Sequence, residues 1–339
     1  MTSLCELMPD NAAMPEISVI VVNWNGRQFL EECLQSLSRQ TFRDFEVILV
    51  DNGSADGSVA YVQDRFPEVT VVPLSENRGF TGGNIAGYQQ SKGKLIALLN
   101  NDTEVHTEWL DEIYQAAMQY PEAGSFASRM MYFDDRKRIE NCGFDLGTAG
   151  VTVDLGRGEL EAARWGSSNA VFGACGGAVV YRRSMLDDVG FLDPDFFMVY
   201  EDLDLSFRAQ LRGYPCIYVP AAIVYHRYRA TLGRASVGQV FYSQRNIEFV
   251  YFKNMPLVLM LLSLPQRLLY EVGSAIYFAR TGRGAAFARA KFDALRHLPS
   301  LLKKRKQIQQ RRILANHQLR SLLKPVLAIK FRKLLSSLP

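Results

Sequence analysis

Four apolar runs alternate with helix-like segments in the first hundred residues. The runs are ISVIVVNW (17–24), DFEVILVDNGS (44–54), VTVVPL (69–74) and KLIALLN (94–100). They are continuous and do not alternate with polar residues, which is typical of strands that are buried on both faces of a parallel sheet. Segments with helical spacing of apolar residues follow the first three runs, at 27–40, 54–66 and 81–93. This repeat predicts an α/β fold with helices on both faces of a mainly parallel sheet.

The ends of these strands are the places to look for a ligand, since open α/β sheets bind ligands beyond the carboxyl ends of their strands. The first strand ends in NWNG without a G-x-G-x-x-G turn, which disfavours a dinucleotide-binding site. The second ends at Asp51, whose carboxylate could accept a hydrogen bond from a nucleobase or a ribose. Alternatively, Asp51 and Asn52 make a turn and Ser54 or Asp56 caps the next helix.

The third strand ends in SENRGFTGGN, where Gly79 and its neighbouring glycines follow Asn77 and Arg78. Glycines let backbone N–H groups come close to a phosphate or ribose, although a glycine-rich helix start is also an ordinary loop.

The fourth strand ends in LLNNDTEV and offers oxygen ligands at Asn100, Asn101 and Asp102. Carboxylate and amide oxygens suit Mg²⁺ or Mn²⁺ held together with a diphosphate. The alternative is that Asp102 or Thr103 caps the following helix.

An acidic cluster follows an apolar run in FFMVYEDLDLSFR (196–208). Glu201, Asp202 and Asp204 lie within four positions, and carboxylates are rarely buried unless they are paired. The cluster is either a helix start that faces water or a catalytic base at the bottom of a cleft. Asp204 has the spacing to pair with Arg208 on the surface of the helix.

Composition indicates a globular protein with one large domain and an appendage. The chain has 339 residues, of which 48% are hydrophobic and 22% charged. Its five cysteines are scattered and form no C-x-x-C pair, which argues against disulfides and zinc and favours a reducing, cytoplasmic compartment. Residues 1–15 show no signal-peptide pattern and are predicted to be a disordered leader.

Charge is distributed unevenly along the chain. From residue 280 to the end there are 16 Lys or Arg and one acid, so this part carries +15. Because the whole chain carries +4, residues 1–279 carry −11. No nucleic-acid-binding motif accompanies the basic part, so an anionic membrane surface is the preferred partner and nucleic acid is not expected.

The basic part also has the pattern of membrane-surface helices. Segment 254–279 is apolar but is interrupted by prolines and charges, so it is not expected to span a membrane. Segment 298–339 interleaves Leu and Ile with Lys and Arg at helical spacing. We expect 236–339 to be a helical, membrane-associating region; the alternative is a helical tail that packs on the acidic body.

Seven motifs between about residues 16 and 230 resemble those of the inverting glycosyltransferases of family 2, which have the GT-A fold. They are ISVIVVNWNG, VDNGSADGS, NRGFTGGN, LLNNDTEV, GACGGAVVYRR, FLDPDFFMVYEDLDLSFR and YVPAAIVYHR. Within the family, the chain looks most like the rhamnosyltransferase-like branch of bacterial surface polysaccharide synthesis. The resemblance implies a GT-A catalytic domain at 16–235.

The resemblance also implies roles for individual residues. Trp24 would stack on the pyrimidine base of the donor, and Asp51 would accept a hydrogen bond from the base N3–H. The implied donor-binding residues are Asn23, Trp24, Asn25, Asp51, Asn77, Arg78, Gly79, Asn84, Asn100, Asn101 and Asp102.

A divalent metal, Mg²⁺ or Mn²⁺, is implied by the same resemblance. Asp102 would be the metal-binding acid of the D-x-D motif, and His226 would complete the metal site. The chain departs from the motif because Asn100 replaces its first Asp, which predicts weaker metal affinity or dependence on bound donor. A histidine between two tyrosines could equally be structural.

Asp202 is the general base that the resemblance implies, with Glu201 positioning it or binding an acceptor hydroxyl. The implied function is transfer of a sugar from a dTDP- or UDP-sugar to a saccharide or lipid-linked saccharide at the inner face of the bacterial membrane. One alternative is a non-catalytic scaffold with the same fold. Another is a sugar-nucleotide pyrophosphorylase, but NWNGRQF lacks the glycine- and basic-rich phosphate loop that such an enzyme needs.

Overall fold

A computed structural model describes residues 14–227 and 236–325. Residues 1–13 of the predicted leader, residues 228–235 and residues 326–339 lie outside the described ranges. The predictions made for them remain predictions.

Thirteen strands form two sheets within the described residues. In chain order they are β1 (Ile17–Asn23), β2 (Phe45–Asp51), β3 (Thr70–Pro73), β4 (Leu95–Asn100), β5 (Thr103–Val105), β6 (Ser125–Tyr132), β7 (Ile139–Asn141), β8 (Phe144–Gly147), β9 (Thr152–Asp154), β10 (Asn169–Val171), β11 (Ala178–Arg182), β12 (Cys216–His226) and β13 (Leu323–Lys324). The main sheet has the order β10-β12-β6-β11-β4-β1-β2-β3, with β5 against β12 and β7 against β6. Its β4-β1-β2-β3 half is parallel, whereas β11 is antiparallel to both β4 and β6.

In the described part of the chain, ten α-helices surround the sheet or follow it. They are α1 (Arg27–Ser38), α2 (Ser58–Arg65), α3 (Gly79–Gln90), α4 (Trp109–Gln119), α5 (Arg183–Val189), α6 (Glu201–Leu211), α7 (Val237–Asn254), α8 (Leu257–Arg280), α9 (Gly284–Arg311) and α10 (Asn316–Leu322). Leu30 of α1 and Trp109 of α4 pack in one core cluster, and Met185 of α5 and Leu205 of α6 pack in another. Successive residues of β1 and β4 alternate between these clusters, so helices cover both faces of the sheet. The predicted fold class is confirmed.

The predicted element bounds are close to the observed ones because the signals were local. Each of the first four strands begins within a residue of its predicted start, since a continuous β-branched run specifies a buried strand. The helix after the fourth strand begins at Trp109, and Asp102 does not cap it because β5 lies between them.

The C-terminal helices share a hydrophobic core with the preceding α/β part of the chain. Phe207 of α6 lies in one cluster with Phe249 of α7 and Leu301 of α9. Among residues 14–227 and 236–325, no helix combines the length and the apolarity that crossing a bilayer requires.

Candidate active site

A cleft of about 380 Å³ opens beyond the carboxyl ends of β1 and β4. Its walls come from the first strands, from the start of α3, from the loop before α6 and from the first turn of α7. The lining residues are Val22, Trp24, Asn52, Asn77, Gly79, Phe80, Asn100, Asn101, Asp102, Glu140, Arg157, Cys175, Phe197, Met198, His226 and Gln239. Seven of them are among the predicted site residues: Trp24, Asn77, Gly79, Asn100, Asn101, Asp102 and His226.

Trp24 presents an indole face to this cleft. It directly follows β1 and is 45% exposed, which is unusual for a large aromatic side chain at the end of a buried strand. An ordinary core residue would be covered, so the exposure favours a surface on which a flat base can stack.

Asn77 and Gly79 form the part of the wall where α3 begins. The Asn77 Oδ1 accepts a hydrogen bond from the Gly79 N–H at 2.8 Å, and Gly79 has φ of 72°. A Cβ on Gly79 would lie 2.2 Å from the Phe197 carbonyl oxygen. Glycine is therefore required here, because it lets the loop before α6 pack directly against the start of α3.

Asp102, His226 and Glu140 form a line of hydrogen-bonded side chains at the floor of the cleft. The Asp102 Oδ1 lies 3.2 Å from the His226 Nε2, and the Glu140 Oε2 lies 2.8 Å from the His226 Nδ1. All three residues are less than 9% exposed.

Strand pairing brings these three distant residues together. β5 pairs with β12 so that Thr103, the neighbour of Asp102, lies opposite His226. β7 pairs with β6, and Glu140 lies where the register shifts between Met130 and Met131. Because β6 also pairs with β12, Glu140 reaches the far side of the imidazole.

The two carboxylates determine the charge of the imidazole. Burial on its own would lower the pKa of His226, but the hydrogen bonds to Asp102 and Glu140 outweigh burial and raise this pKa to about 10. In the absence of a bound cation, His226 is an imidazolium at neutral pH. A cation would replace the Nε2 proton, because a histidine ligand must be neutral.

The donor set fits a divalent metal that has other ligands as well. Adjacent ligands of an octahedral ion, each about 2.1 Å from it, are about 3 Å apart, which matches the Asp102–His226 distance. The Glu140 carboxylate bonds to the His226 Nδ1 and thereby fixes the orientation of the ring, as carboxylates commonly do for histidines that bind a metal through their other nitrogen. The described residues contain no group of three or more His, Cys, Asp or Glu suited to a metal. Oxygens of the nucleotide-sugar diphosphate, or water molecules, would therefore have to complete the coordination of the ion.

Two of the predicted donor-binding residues lie beneath the cleft wall. Asn23 is completely buried, and its Nδ2 donates to Asp51 Oδ1 at 3.3 Å and to Ser58 Oγ at 2.9 Å. Its Oδ1 accepts from Asn101 Nδ2 at 2.7 Å. Asp51 is 3% exposed and accepts the Ser54 N–H at 3.0 Å, so the turn considered above is present. These contacts tie the ends of β1, β2 and β4 together.

Three more predicted residues do not line the cleft. Asn25 accepts the Ala55 N–H at 2.8 Å, and Asn84 is buried within α3, where its Nδ2 donates to the Phe80 carbonyl. Arg78 is exposed and lies 3.7 Å from Glu76. Contacts of these residues with a donor remain a prediction.

Asp202 adjoins the cleft through the loop that contains Cys175. Its Oδ2 accepts the Gly176 N–H at 2.9 Å, and its Oδ1 accepts the Leu203 N–H at 2.7 Å. Burial raises the pKa of the Asp202 carboxyl above its ordinary value, although both N–H groups oppose the shift. A higher pKa makes the carboxylate a better proton acceptor.

Glu201 points into the protein and not into the cleft. It is 5% exposed, and its Oε2 has no hydrogen-bond partner among the described residues. Burial, followed by the charge of Asp202, raises the pKa of Glu201 well above the ordinary value. The pKa of Glu201 is raised further than that of Asp202, so Asp202 is the member of the pair that ionises more readily.

A strained turn places this pair at the start of α6. Val199 and Tyr200 have φ of 68° and 71°, a region that a β-branched residue rarely adopts. The Asn246 Nδ2 donates to the carbonyl oxygens of Met198 and Val199, both at 2.8 Å. Asn246 belongs to α7 and is completely buried, so the C-terminal helices hold the turn in place.

Asp204 is structural, and its predicted pair with Arg208 is present but not on the surface. The Arg208 Nε lies 2.9 Å from the Asp204 Oδ2, and the two residues are 7% and 0% exposed. The other oxygen of Asp204 accepts from Lys253 at 2.7 Å and from Asn254 at 2.8 Å. These contacts dock α7 against α6.

Sequence patterns missed several residues of the cleft. Glu140 lies in a three-residue strand that has no recognisable periodicity, and Gln239 lies beyond the predicted catalytic boundary at residue 235. Asn52 bridges Asn77 and the Gly79 carbonyl, at 3.1 and 2.9 Å. Its place in the VDNGS motif was a usable signal, but it suggested only a turn.

Comparison with known proteins gives one family. Residues 18–190, about half of the chain, match the family described as glycosyl transferase family 2. An N-acetylglucosaminyl-diphospho-decaprenol L-rhamnosyltransferase of Mycobacterium tuberculosis is 28% identical over 64% of this chain and 78% of its own length. The O-antigen biosynthesis protein RfbC of Myxococcus xanthus is 27% identical over 59% of the chain, but only 16% of that protein is covered. An uncharacterised Sinorhizobium fredii protein, y4gI, is 29% identical over 65% of this chain and 25% of its own length.

Solved structures show the same fold. GalNAc-T7, crystallised with UDP, GalNAc and Mn²⁺, aligns with a TM-score of 0.57 and 16% identity over 72% of this chain and 48% of its own. Residues 1–349 of S. aureus TarS align with a TM-score of 0.50 and 16% identity over 82% of this chain and 72% of its own.

Proposed function

The chain belongs to glycosyl transferase family 2 and is a glycosyltransferase, and from that premise we propose that it moves a hexose with inversion from a nucleoside diphosphate sugar to a saccharide hydroxyl. One observation carries the proposal. The cleft holds the Asp102–His226 pair, 3.2 Å apart, and adjoins the partly buried Asp202 at its wall. Inversion requires groups on both sides of the sugar, one near the leaving group and one near the acceptor.

Donor binding is assigned to the Trp24 side of the cleft. The indole stacks on the nucleobase, while the start of α3 at Gly79 approaches the ribose and phosphates. The buried contacts of Asn23 with Asp51 and Asn101 fix the strand ends that carry these groups. A rigid platform lowers the entropic cost of placing the sugar for attack.

Asp202 acts as the general base. Its carboxylate takes the proton of the acceptor hydroxyl as the oxygen attacks the anomeric carbon, and the nucleoside diphosphate leaves from the opposite face. Glu201 is buried beside Asp202 and its pKa is raised further, so its role in this proposal is to support Asp202 and not to take the proton itself. The turn at Val199 and Tyr200 directly precedes α6, so its conformation determines where the Asp202 carboxylate lies.

Asp102 and His226 hold Mg²⁺ or Mn²⁺ in this proposal, and Glu140 orients the imidazole. Such an ion, when bound, neutralises the charge that develops on the departing diphosphate. The chain supplies one carboxylate at this position because Asn100 replaces the first acid of the motif. The diphosphate of the donor is therefore needed to complete the site.

The narrower proposal is rhamnosyl transfer from dTDP-rhamnose, with UDP-hexoses as the next candidates. The acceptor is a lipid-linked saccharide of a bacterial surface polysaccharide at the inner face of the membrane. Two relatives support this choice, since their names are those of a rhamnosyltransferase that acts on a decaprenol-linked sugar and of an O-antigen biosynthesis protein.

A panel of nucleotide sugars tests the proposal. The full chain is incubated with each donor and Mn²⁺, and release of the nucleoside diphosphate is followed with and without polyprenyl-linked saccharide acceptors. We expect slow hydrolysis of one dTDP- or UDP-sugar, which the right acceptor accelerates. A non-catalytic scaffold would bind a donor without releasing the diphosphate, and a pyrophosphorylase would form pyrophosphate and a sugar phosphate instead.

A further inference from the structure

Helix α8 has the reverse of the usual surface pattern. Its buried residues are Leu259, Ser263 and Arg267, two of which are polar, and Arg267 is only 4% exposed. A surface helix of a globular protein normally turns its apolar stripe toward the core and its charges toward water. Here Arg267 and Glu271 face the protein, whereas most of the leucines face away from it.

The outward face of α8 is a continuous apolar surface, which we call the α8 apolar face. Ten side chains, each at least 45% exposed, form it: Leu257, Val258, Leu261, Leu262, Leu264, Leu268, Leu269, Val272, Ile276 and Tyr277. Their three- and four-residue spacings place them mainly along one side of the helix. Exposed apolar patches of this extent mark interaction sites.

A cluster of charges fixes this orientation. The Arg267 guanidinium lies 2.8 Å from the Glu271 carboxylate and also pairs with Glu248 of α7. Lys291 of α9 contacts both acids and lies 2.7 Å from Glu271. Rotating α8 to bury its leucines would break this partly buried cluster and leave its charges unpaired, which is costly.

The exposed side of the next helix is basic. Arg289, Arg296, Lys303 and Lys306 of α9 are exposed, and none of them has a carboxylate partner in the part of the chain that the structure describes. Asp293 faces Arg245 and His297, at 3.5 and 3.7 Å. Exposed Phe292 and Leu295 lie between the basic residues. Apolar side chains that alternate with basic ones complement an anionic lipid surface.

We propose that the α8 apolar face and the basic side of α9 dock the enzyme on an anionic lipid bilayer. The leucines enter the boundary between headgroups and acyl chains, and Arg289, Arg296, Lys303 and Lys306 bind anionic headgroups. The sequence predicted a membrane-associating region at 236–339 with its basic helical pattern at 298–339, and the proposal assigns the apolar contact within that region to α8.

Docking on this face would also orient the cleft, a consequence that rests on the proposed lipid-linked acceptor. Helix α7 connects the two sites, because Gln239 lines the cleft and Glu248 anchors Arg267 of α8. Nine residues of helix separate them, or about 14 Å. A bilayer under α8 would thus lie at a fixed distance from the cleft.

Vesicle co-sedimentation of the full chain tests the docking surface. The whole chain is used because α9 shares a core with α6 and α7. The vesicles contain either phosphatidylglycerol with phosphatidylcholine or phosphatidylcholine alone. The test variant is Leu262→Glu with Leu269→Glu, two positions that are 59% and 72% exposed. The matched control is Met118→Glu on α4, which is 65% exposed and distant from α8 in sequence.

We expect wild type and Met118→Glu to sediment with anionic vesicles, and the double variant to bind at least about tenfold more weakly. Replacing Arg289 or Arg296 by Gln should weaken binding about fivefold for each charge. Equal sedimentation of the double variant, or no sedimentation of wild type, would overturn the proposal. So would a wild-type dimer in sedimentation velocity that the double variant dissociates, since a second copy would then cover the face.

Measuring nucleotide-sugar binding distinguishes a failure of the docking proposal from a failure of the proposed function. The double variant should retain the wild-type affinity for the nucleotide sugar, measured by thermal shift, because neither leucine lines the cleft. Vesicle binding without binding of any nucleotide sugar would refute the proposed function and leave the docking surface intact.

Discussion

Replacing Asn246 by Ala should slow sugar transfer although Asn246 does not line the cleft. Its amide donates two hydrogen bonds of 2.8 Å to the turn that precedes Asp202. Val199 and Tyr200 adopt positive φ in this turn, a strain of about 1–3 kcal/mol for each residue. Without the amide, the turn is free to relax, and Asp202 moves with it.

The magnitude follows from the two lost bonds. Each contributes about 0.5–1.5 kcal/mol, so together they stabilise the catalytic turn by about 1–3 kcal/mol. If that free energy disfavours the active conformer, the transfer rate falls by about 5- to 150-fold. Donor affinity should change little, because Trp24 and Asp102 are in other parts of the cleft.

Single-turnover transfer at saturating donor measures this effect, with donor affinity and urea unfolding recorded on the same protein. Asn246→Asp keeps the size of the side chain but cannot donate, so it should be slowed at least as much. Ser243→Ala is the matched control on α7, because within the described ranges its hydroxyl bonds only to the Val240 carbonyl in its own helix. Wild-type transfer by Asn246→Ala would refute the positioning role of α7.

Three further outcomes are expected. Trp24→Ala should raise the donor KM about tenfold or more in steady-state kinetics, since base stacking contributes about 1–3 kcal/mol; an unchanged KM would place the base elsewhere. EDTA should abolish transfer and Mn²⁺ should restore it, whereas full turnover in chelator would mean a metal-free site. Lys253→Ala should lower the free energy of unfolding by about 1.5–3 kcal/mol in urea titration, because it removes one buried cation from Asp204 and leaves that carboxylate with Arg208 and Asn254. The exposed pair of Lys94 with Glu16 is the control, and Lys94→Ala should leave the unfolding midpoint unchanged.

The sequence predicted those parts of the fold and site that depend on local patterns. The first four strands and the position of Asp102 in the cleft were predicted because continuous apolar runs end in polar residues at the edge of the sheet. His226 was found only through a family motif, since its neighbours carry no metal-ligand spacing. Glu140 was missed because a bulge in strand pairing brings it to the imidazole.

Burial and long-range docking could not be predicted from the same patterns. Asn23 was expected at the donor, but the structure buries it in a network that joins three strand ends. Asp204 was expected on a helix surface, but Lys253 of α7 covers it. The C-terminal helices were interpreted as a separate region because amphipathic spacing does not reveal which face meets the catalytic domain.

The most direct test of the central claim is the transfer rate of Asp202→Asn compared with its donor affinity. The substitution keeps the shape of the side chain and removes its ability to accept a proton, so we expect transfer to fall at least about 100-fold. Donor affinity should remain that of wild type, because Asp202 lies on the acceptor side of the proposed reaction. Transfer within a few-fold of wild type would contradict the account and remove Asp202 from the mechanism.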